Sequence, residues 1–134
     1  MVKSGALKIL NALACPDAEL SIVLVDDADI QLLNRDYLQR DKPTNVISFS
    51  MREGEGGNLH PELLGDVVIS TETAARDAAE AGVSFESEVL YLLLHGILHL
   101  CGYDHERGTA DEACIMEAKE QEIFAMLSKE LLEQ

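Results

Sequence analysis

Hydrophobic and polar positions change their spacing several times along the chain, and each change marks a predicted element. Apolar residues recur every third or fourth position where the pattern is typical of an amphipathic helix, and they alternate or cluster where it is typical of a strand. The pattern predicts helices at residues 5–14, 71–81, 84–101 and 109–131, and a further helix that Asp27 or Asp29 caps and that runs to about Leu38. It predicts strands at 19–25, 45–51 and 63–70. Because the strands precede the long helices, we predict an α+β fold with a small mixed sheet packed with several helices.

Capping residues and apolar stripes refine three of these helices. Ser4 is the predicted N-cap of the first helix, and its stripe consists of Leu7, Leu10 and Leu13. Gly82 is predicted to close the helix at 71–81. Capping-box spacing from Thr109 to Glu112 predicts the start of the last helix. The inward-facing candidates on that helix are Ile115, Ile123, Met126 and Leu127.

The helix at 84–101 is apolar almost all round, which predicts that it is buried. It nevertheless carries His95 and His99, and His105 follows shortly after it. Two imidazoles four residues apart project from the same face of a helix. Gly102 is the residue type that ends a helix in the left-handed conformation at little steric cost. The chain can therefore turn there and bring His105 back toward His95 and His99.

The spacing of His95, His99 and His105 predicts a metal site. Three neutral nitrogen ligands suit zinc and leave one coordination position open, which is typical of a catalytic site. A single histidine on an apolar helix is more often a hydrogen-bonded core residue, and the clustering of three argues against that alternative here. Cys101 lies within the same stretch, and we interpret it as a buried thiol rather than a ligand.

The same spacing is similar to the metzincin protease signature H-E-x-x-H-x-x-G-x-x-H, with Gly96 in place of the glutamate. That glutamate is the general base of peptide hydrolysis. Ordinary zincin proteolysis is therefore disfavoured, although a zincin-like helix and metal remain expected.

The run from His95 to His105 resembles the H-G-x-L-H-L-x-G-Y-D-H signature of the YbeY family, bacterial metal-dependent endoribonucleases and rRNA maturation factors. Residues 42–49, K-P-T-N-V-I-S-F, and 64–70, L-G-D-V-V-I-S, are similar to two further segments of that family. The three segments occur in family order, and the resemblance covers about residues 19–127.

The resemblance implies that His95, His99 and His105 bind zinc, with other divalent ions possible. It also implies a preference for single-stranded RNA, a role in processing the 3′ end of small-subunit rRNA and in ribosome quality control, and ribosomal particles as partners. Leu38 occupies the place of a functional family arginine, and Arg40 two residues later is the candidate replacement. Asp104 is a candidate for orienting a ligand or the water; a turn-capping role is an equal alternative.

Length and composition predict one domain, residues 1–134, because 47% of the residues are hydrophobic. We expect a cytoplasmic protein, since neither a signal peptide nor a membrane span is evident. Three widely spaced cysteines argue against a disulfide framework. The glycine-rich segment at 52–61 is predicted to be a mobile loop, a candidate lid if it borders the metal, with His60 exposed in it.

The formal net charge of −15 is unexpected for a protein that binds RNA. Residues 35–52 nevertheless have a net charge of +2, and we expect them to form a local basic edge beside the metal. The predicted function is a single-strand-preferring endoribonuclease. The alternatives are a zinc hydrolase acting on a peptide or small molecule, and a non-catalytic ribosome-assembly factor with a structural metal. The oligomeric state and the nucleophile, water or the RNA 2′-hydroxyl, stay open.

Overall fold

The computed structural model describes residues 2–15, 17–51, 63–101 and 110–132. These residues confirm the α+β prediction. In chain order the elements are α1 (Val2–Ala12), β1 (Glu19–Val25), α2 (Asp27–Leu38), β2 (Val46–Ser50), β3 (Leu63–Ser70), α3 (Thr71–Ala81), α4 (Phe85–Leu100), α5 (Ala110–Leu127) and a π-helical turn (Ser128–Leu132). The bounds of β1, β3 and α3 agree with those predicted.

The sheet is mixed, with strand order β1-β3-β2. The central strand β3 runs parallel to β1 and antiparallel to β2. The β1–β3 register shifts between Glu19, which pairs with Leu63, and Leu20, which pairs with Gly65. Gly65 has a φ of +141°, and a Cβ atom there would run into the carbonyl oxygen of Phe49. Only glycine tolerates this conformation and this close approach between β3 and β2.

Successive residues of β3 face opposite sides of the sheet, so both sides are packed. Val67 and Ile69 belong to the main core cluster, which includes residues of α1, α3, α4 and α5. Val68 belongs to a smaller cluster on the other side, where it lies with Ile30 of α2 and Ile47 of β2. The sheet is therefore packed between α2 on one face and α4 with its neighbours on the other.

Helix α4 lies at the centre of the fold and contacts α1, α3, α5, β2 and β3. Ser84 caps its start by accepting a hydrogen bond from the Ser87 backbone N–H. Its many buried side chains confirm the prediction of a buried helix: Val89, Leu90, Leu92, Leu93, Leu94, Ile97, Leu98 and Leu100. This packing fixes the backbone that carries the two histidines.

The predicted start of α1 was wrong. The helix begins by Val2, so Ser4 lies inside it and cannot be its N-cap. Leu10 is buried as predicted, but Leu7 is 52% exposed. The buried side of α1 also includes Gly5, where a Cβ atom would lie only 2.6 Å from Cδ2 of Leu90. Close packing of the Gly5 side on α4 therefore decides the orientation of the helix.

Helix α2 is capped by Asp26 rather than by Asp27 or Asp29. Asp26 is in the extended region, and its Oδ1 accepts a 2.8 Å hydrogen bond from the backbone N–H of Asp29. Asp27 instead turns toward α3, where it accepts a 2.7 Å hydrogen bond from Arg76. Ser70 caps α3, and Gly82 closes it in the left-handed conformation, as predicted for Gly82.

The inward face of α5 was predicted in part. Ile123 and Leu127 are buried, and Met126 packs against the core. Ile115 is 60% exposed, whereas its neighbour Met116 is fully buried. Consecutive helical residues differ by about 100° in direction, so the stripe that contains Ile123 and Leu127 includes position 116 and excludes 115. Thr109 of the predicted capping box lies outside the described residues.

Within the described part of the chain, no single helix is long and apolar enough to cross a bilayer. Helices α3 and α4 reach the necessary length and apolar composition only when they are taken together, and the chain bends by 114° between them. No disulfide joins the three cysteines, all of which lie in the described part of the chain, in agreement with the prediction of no disulfide framework. Cys15 and Cys101 are partly buried and Cys114 is exposed.

Candidate metal and RNA site

His95 and His99 lie on the same face of α4 and converge at their Nε2 atoms. These atoms are 3.1 Å apart, and the ring centroids are 4.6 Å apart at an interplanar angle of 74°. The two rings lie at the wall of a cleft between α4, the outer strand β2 and the segment that joins α2 to β2. The i, i+4 spacing thus produces the convergence predicted from the sequence.

The two imidazoles fit one zinc ion. Two nitrogen ligands at about 2.0–2.1 Å from a tetrahedral ion stand about 3.3–3.4 Å apart, close to the Nε2 separation in this structure. His105, the third predicted ligand, lies outside the described residues, as do Gly102 and Asp104. Among the residues that are described, no three histidine, cysteine or acidic side chains are arranged so that they could hold a metal ion together.

Gly96, between the two histidines, packs directly against the sheet. A Cβ atom at this position would lie 2.8 Å from Cγ1 of Val67 and 3.1 Å from the Ser48 hydroxyl oxygen. That hydroxyl donates a 3.1 Å hydrogen bond to the Gly96 carbonyl. The position that holds the catalytic glutamate in metzincins therefore faces packed sheet in this fold, and it has no space for a carboxylate side chain.

Glu120 of α5 contacts His95 at Nδ1, the ring nitrogen that is turned away from His99. The sequence pattern did not predict this contact. Glu120 Oε2 lies 2.9 Å from His95 Nδ1, and Glu120 Oε1 accepts a 2.7 Å hydrogen bond from the Tyr91 hydroxyl. Tyr91 also lies beside the His95 ring, at an interplanar angle of 21°. The hydrogen bond to Glu120, together with burial, raises the pKa of Tyr91 to about 12.

A signal for Glu120 was present in the sequence. It lies four residues after Met116 and three before Ile123, on the buried stripe of α5. An acidic residue on such a stripe requires a polar partner, because an unpaired buried carboxylate is costly. The acidic residue that the sequence offered for orienting a ligand or the water was Asp104, next to His105.

The cleft beside the histidines has a volume of about 510 Å³. Its wall on the α2–β2 side includes Arg40 and Lys42, which are exposed at the mouth, and Leu38. Arg40 and the two histidines therefore line the same cleft. Leu38 lines the same cleft, so the place of the family arginine also faces the site.

Asn34 fixes the segment that carries the two cations. It is only 2% exposed, and its Nδ2 donates a 2.9 Å hydrogen bond to the Lys42 carbonyl. The backbone carbonyl of Asn34 accepts a 3.1 Å hydrogen bond from the Arg40 backbone N–H. Gln39 ends α2 in the left-handed conformation with a φ of 57°. These bonds hold the backbone of Arg40 and Lys42 at the cleft, while their side chains stay exposed.

The remaining residues of the predicted basic edge differ in position. Arg35 forms a 3.0 Å ion pair with Asp36 and does not line the cleft. Arg52, His60 and the predicted lid lie outside the described residues. Within the described part, the basic edge at the site therefore consists of Arg40 and Lys42.

Comparison with known proteins matches residues 2–128 to the family model described as endoribonuclease YbeY. The chain is 66% identical over 127 residues to endoribonuclease YbeY of Syntrophotalea carbinolica, which covers 95% of this chain and 85% of that protein. It is 61% identical over 129 residues to the Geobacter metallireducens protein of the same name, with 96% and 86% covered.

A solved structure is also similar. The solution structure of TM1509 from Thermotoga maritima matches with a TM-score of 0.62 and covers 99% of this chain and 85% of that one. The sequence identity is 24%, so this likeness supports the fold alone.

Proposed function

The chain belongs to the endoribonuclease YbeY family, and from this membership we propose that His95, His99 and His105 hold one zinc ion at an RNA-cleaving site. Members of the family are endoribonucleases, and rRNA maturation is their known role. The convergence of His95 Nε2 and His99 Nε2, 3.1 Å apart beside the cleft that Arg40 and Lys42 line, carries the proposal. The role of His105 as the third ligand rests on the resemblance of residues 95–105 to the family signature.

The proposed substrate is single-stranded RNA at the 3′ end of small-subunit rRNA, with ribosomal particles as the partner. The cleft volume of about 510 Å³ is in the range of small-ligand sites, so it suits a few atoms of an unpaired strand rather than a duplex. Two cations at the mouth provide local attraction for phosphate although the chain carries a net charge of −15. A substrate that belongs to ribosomal particles also implies a cytoplasmic location for the protein.

The residues of the chain have separate tasks in this site. Arg40 and Lys42 bind phosphate oxygens and stabilise the charge that grows on them during cleavage. Asn34 holds the backbone of both residues in place. When bound, zinc supplies Lewis acidity and lowers the pKa of a bound water toward about 7. Asp104 is a candidate for orienting that water or the ligand His105. We propose that the site and its scaffold form one domain, residues 1–134, supported by a main core cluster that includes residues of α1, α3, α4 and α5.

Elemental analysis and RNA cleavage test the proposal together. Purified protein is expected to contain one zinc ion per chain and to cut a labelled single strand faster than the same sequence in a duplex. His95→Ala, His99→Ala and His105→Ala are each expected to lower both the zinc content and the cleavage rate. Cleavage that persists in all three variants would identify a contaminating nuclease and would contradict the proposal.

Two further readouts sharpen the test. Arg40→Ala is expected to lower the cleavage rate about 100-fold, the cost of losing one electrostatic contact to the reacting group. Arg35→Ala is the matched control, because Arg35 is paired with Asp36 away from the cleft.

The chemistry of the product ends identifies the nucleophile. A 2′,3′-cyclic phosphate on the product identifies the RNA 2′-hydroxyl as the nucleophile, and its absence under conditions that preserve it identifies water. Wild-type protein with full zinc content and no cleavage would instead favour an assembly factor.

A further inference from the structure

The carboxylate of Glu120 occupies a position on α5 where the helix otherwise buries apolar side chains. Met116 is fully buried, Ile123 is 2% exposed and Leu127 is fully buried, and Glu120 lies between them on the same stripe. Its side chain is only 13% exposed. An aliphatic residue at 120 would continue the core, so the carboxylate requires an explanation in terms of its contacts.

Both oxygens of Glu120 are used. Oε1 accepts a 2.7 Å hydrogen bond from the Tyr91 hydroxyl, and Oε2 lies 2.9 Å from Nδ1 of His95. Because a carboxylate only accepts hydrogen bonds, Nδ1 must be the donor in this contact. The proton of the neutral His95 ring is then on Nδ1, and Nε2 keeps its lone pair on the side where the His99 Nε2 atom lies.

Tyr91 fixes the position of the carboxylate in turn. Its ring packs edge-on against Phe124 of α5, with centroids 5.7 Å apart, and its hydroxyl reaches Glu120. Tyr91 and His95 are four residues apart on α4, so the same helix face presents both partners of Glu120. The carboxylate therefore has one donor from each of two consecutive turns of α4 and little freedom to rotate.

We propose that Glu120 is a positioning residue for the metal site, holding His95 in the Nδ1–H tautomer with Nε2 directed at the ion. A ligating histidine whose second nitrogen is held by a carboxylate binds metal more tightly, and loss of such a partner typically weakens metal affinity 10- to 100-fold. This inference rests on the proposed role of His95 as a zinc ligand. It assigns a function to a residue of α5 that the histidine motif does not include.

Zinc affinity measured by competition with a chromophoric chelator tests the proposal directly. Glu120→Leu removes both acceptors at a similar side-chain size and is expected to weaken zinc binding about 10- to 100-fold. Glu120→Gln is expected to retain most of the affinity. Its carbonyl oxygen accepts from Nδ1–H, and its amide donates to the Tyr91 hydroxyl oxygen. Glu122→Leu is the matched control on the same helix, since Glu122 is 72% exposed and lies near Lys119 on the surface.

A second readout reports the tautomer without metal. Nitrogen-15 NMR of the metal-free protein, held at a pH where His95 is neutral, is expected to show the proton on Nδ1 in the wild type and a mixture of tautomers in Glu120→Leu. A purely structural role for Glu120 would not alter the tautomer. Tyr91→Phe, which removes one hydroxyl and keeps both ring contacts, provides a variant that preserves the fold, and a smaller loss of zinc affinity is expected for it.

The possible outcomes separate this proposal from the one on which it rests. If His95→Ala keeps the zinc content of the wild type, the assignment of the metal site fails. If His95→Ala loses zinc, while folded Glu120→Leu binds zinc as tightly as the wild type with an unchanged tautomer, only the positioning role is overturned. Weakened binding in Glu120→Leu, rescue in Glu120→Gln and no change in Glu122→Leu would support it.

Discussion

The side-chain amide of Asn34 donates a 2.9 Å hydrogen bond to the backbone carbonyl of Lys42 and so ties the buried face of α2 to the basic mouth of the cleft. Asn34 is 2% exposed, so water cannot easily replace the lost partner when either group is removed. A core residue thereby determines where two surface cations stand.

Asn34→Ala is expected to lower the free energy of unfolding by about 1–3 kcal/mol, the cost of leaving a buried polar group without its partner. It is also expected to raise the KM for single-stranded RNA more than it lowers kcat, because the segment that carries Arg40 and Lys42 loses its side-chain anchor at the Lys42 carbonyl. Gln31→Ala is the control, since Gln31 holds the same segment only through an exposed 3.0 Å bond to Asp41. Equal effects of the two variants would contradict the anchoring role.

Leu38→Arg is expected to increase the affinity for single-stranded RNA. Leu38 is 47% exposed and lines the cleft, so an arginine there adds a cation beside Arg40 at little cost in packing. One additional phosphate contact should steepen the dependence of log affinity on log salt by about 0.7. Leu32→Arg is the control, because Leu32 is 46% exposed on the same helix and does not line the cleft. A similar salt slope in both arginine variants would argue against the predicted contact.

Gly96→Ala is expected to destabilise the fold by about 1–3 kcal/mol through overpacking. The added methyl group would lie 2.8 Å from Cγ1 of Val67. The measurement is a double-mutant cycle by chemical denaturation with Val67→Ala, which makes space for the methyl group. We expect Gly96→Ala to cost less in the Val67→Ala background than in the wild type. Additive free energies would show that the two positions do not compete for space.

Asp27 is expected to make stability depend on pH in the acid range. Hydrogen bonds from Ser70, Thr73 and Arg76 lower the pKa of Asp27 from 3.8 to about 2. Because the folded pKa is lower than the unfolded one, the stabilisation is complete above about pH 4 and is lost as the pH falls toward 2. The difference in Tm between the wild type and Asp27→Asn, measured on metal-free protein, should therefore shrink between pH 4 and 2. A difference that stays constant across this interval would contradict the prediction.

The sequence determined those features that depend on short-range periodicity. The bounds of β1, β3 and α3, the burial of α4, and the convergence of His95 and His99 follow from the repeat of a strand or a helix, which is a property of the local backbone. The signature around the histidines likewise pointed to the endoribonuclease YbeY family, and the comparisons confirmed it. Errors occurred where neighbouring residues compete for one role, as with Asp26 and Asp27 at the start of α2.

Which distant residues meet depends on the packing of the whole fold. The contact between Glu120 and His95 joins positions 25 residues apart on different helices, and no local pattern specifies which face of α5 is turned toward α4. The approach of Gly96 to Val67, and of Arg40 to the histidines, likewise depends on how α4 and the α2–β2 segment pack around the sheet. Packing selects one set of such contacts because the buried surfaces must fit at close density, and this requirement acts on the whole chain at once.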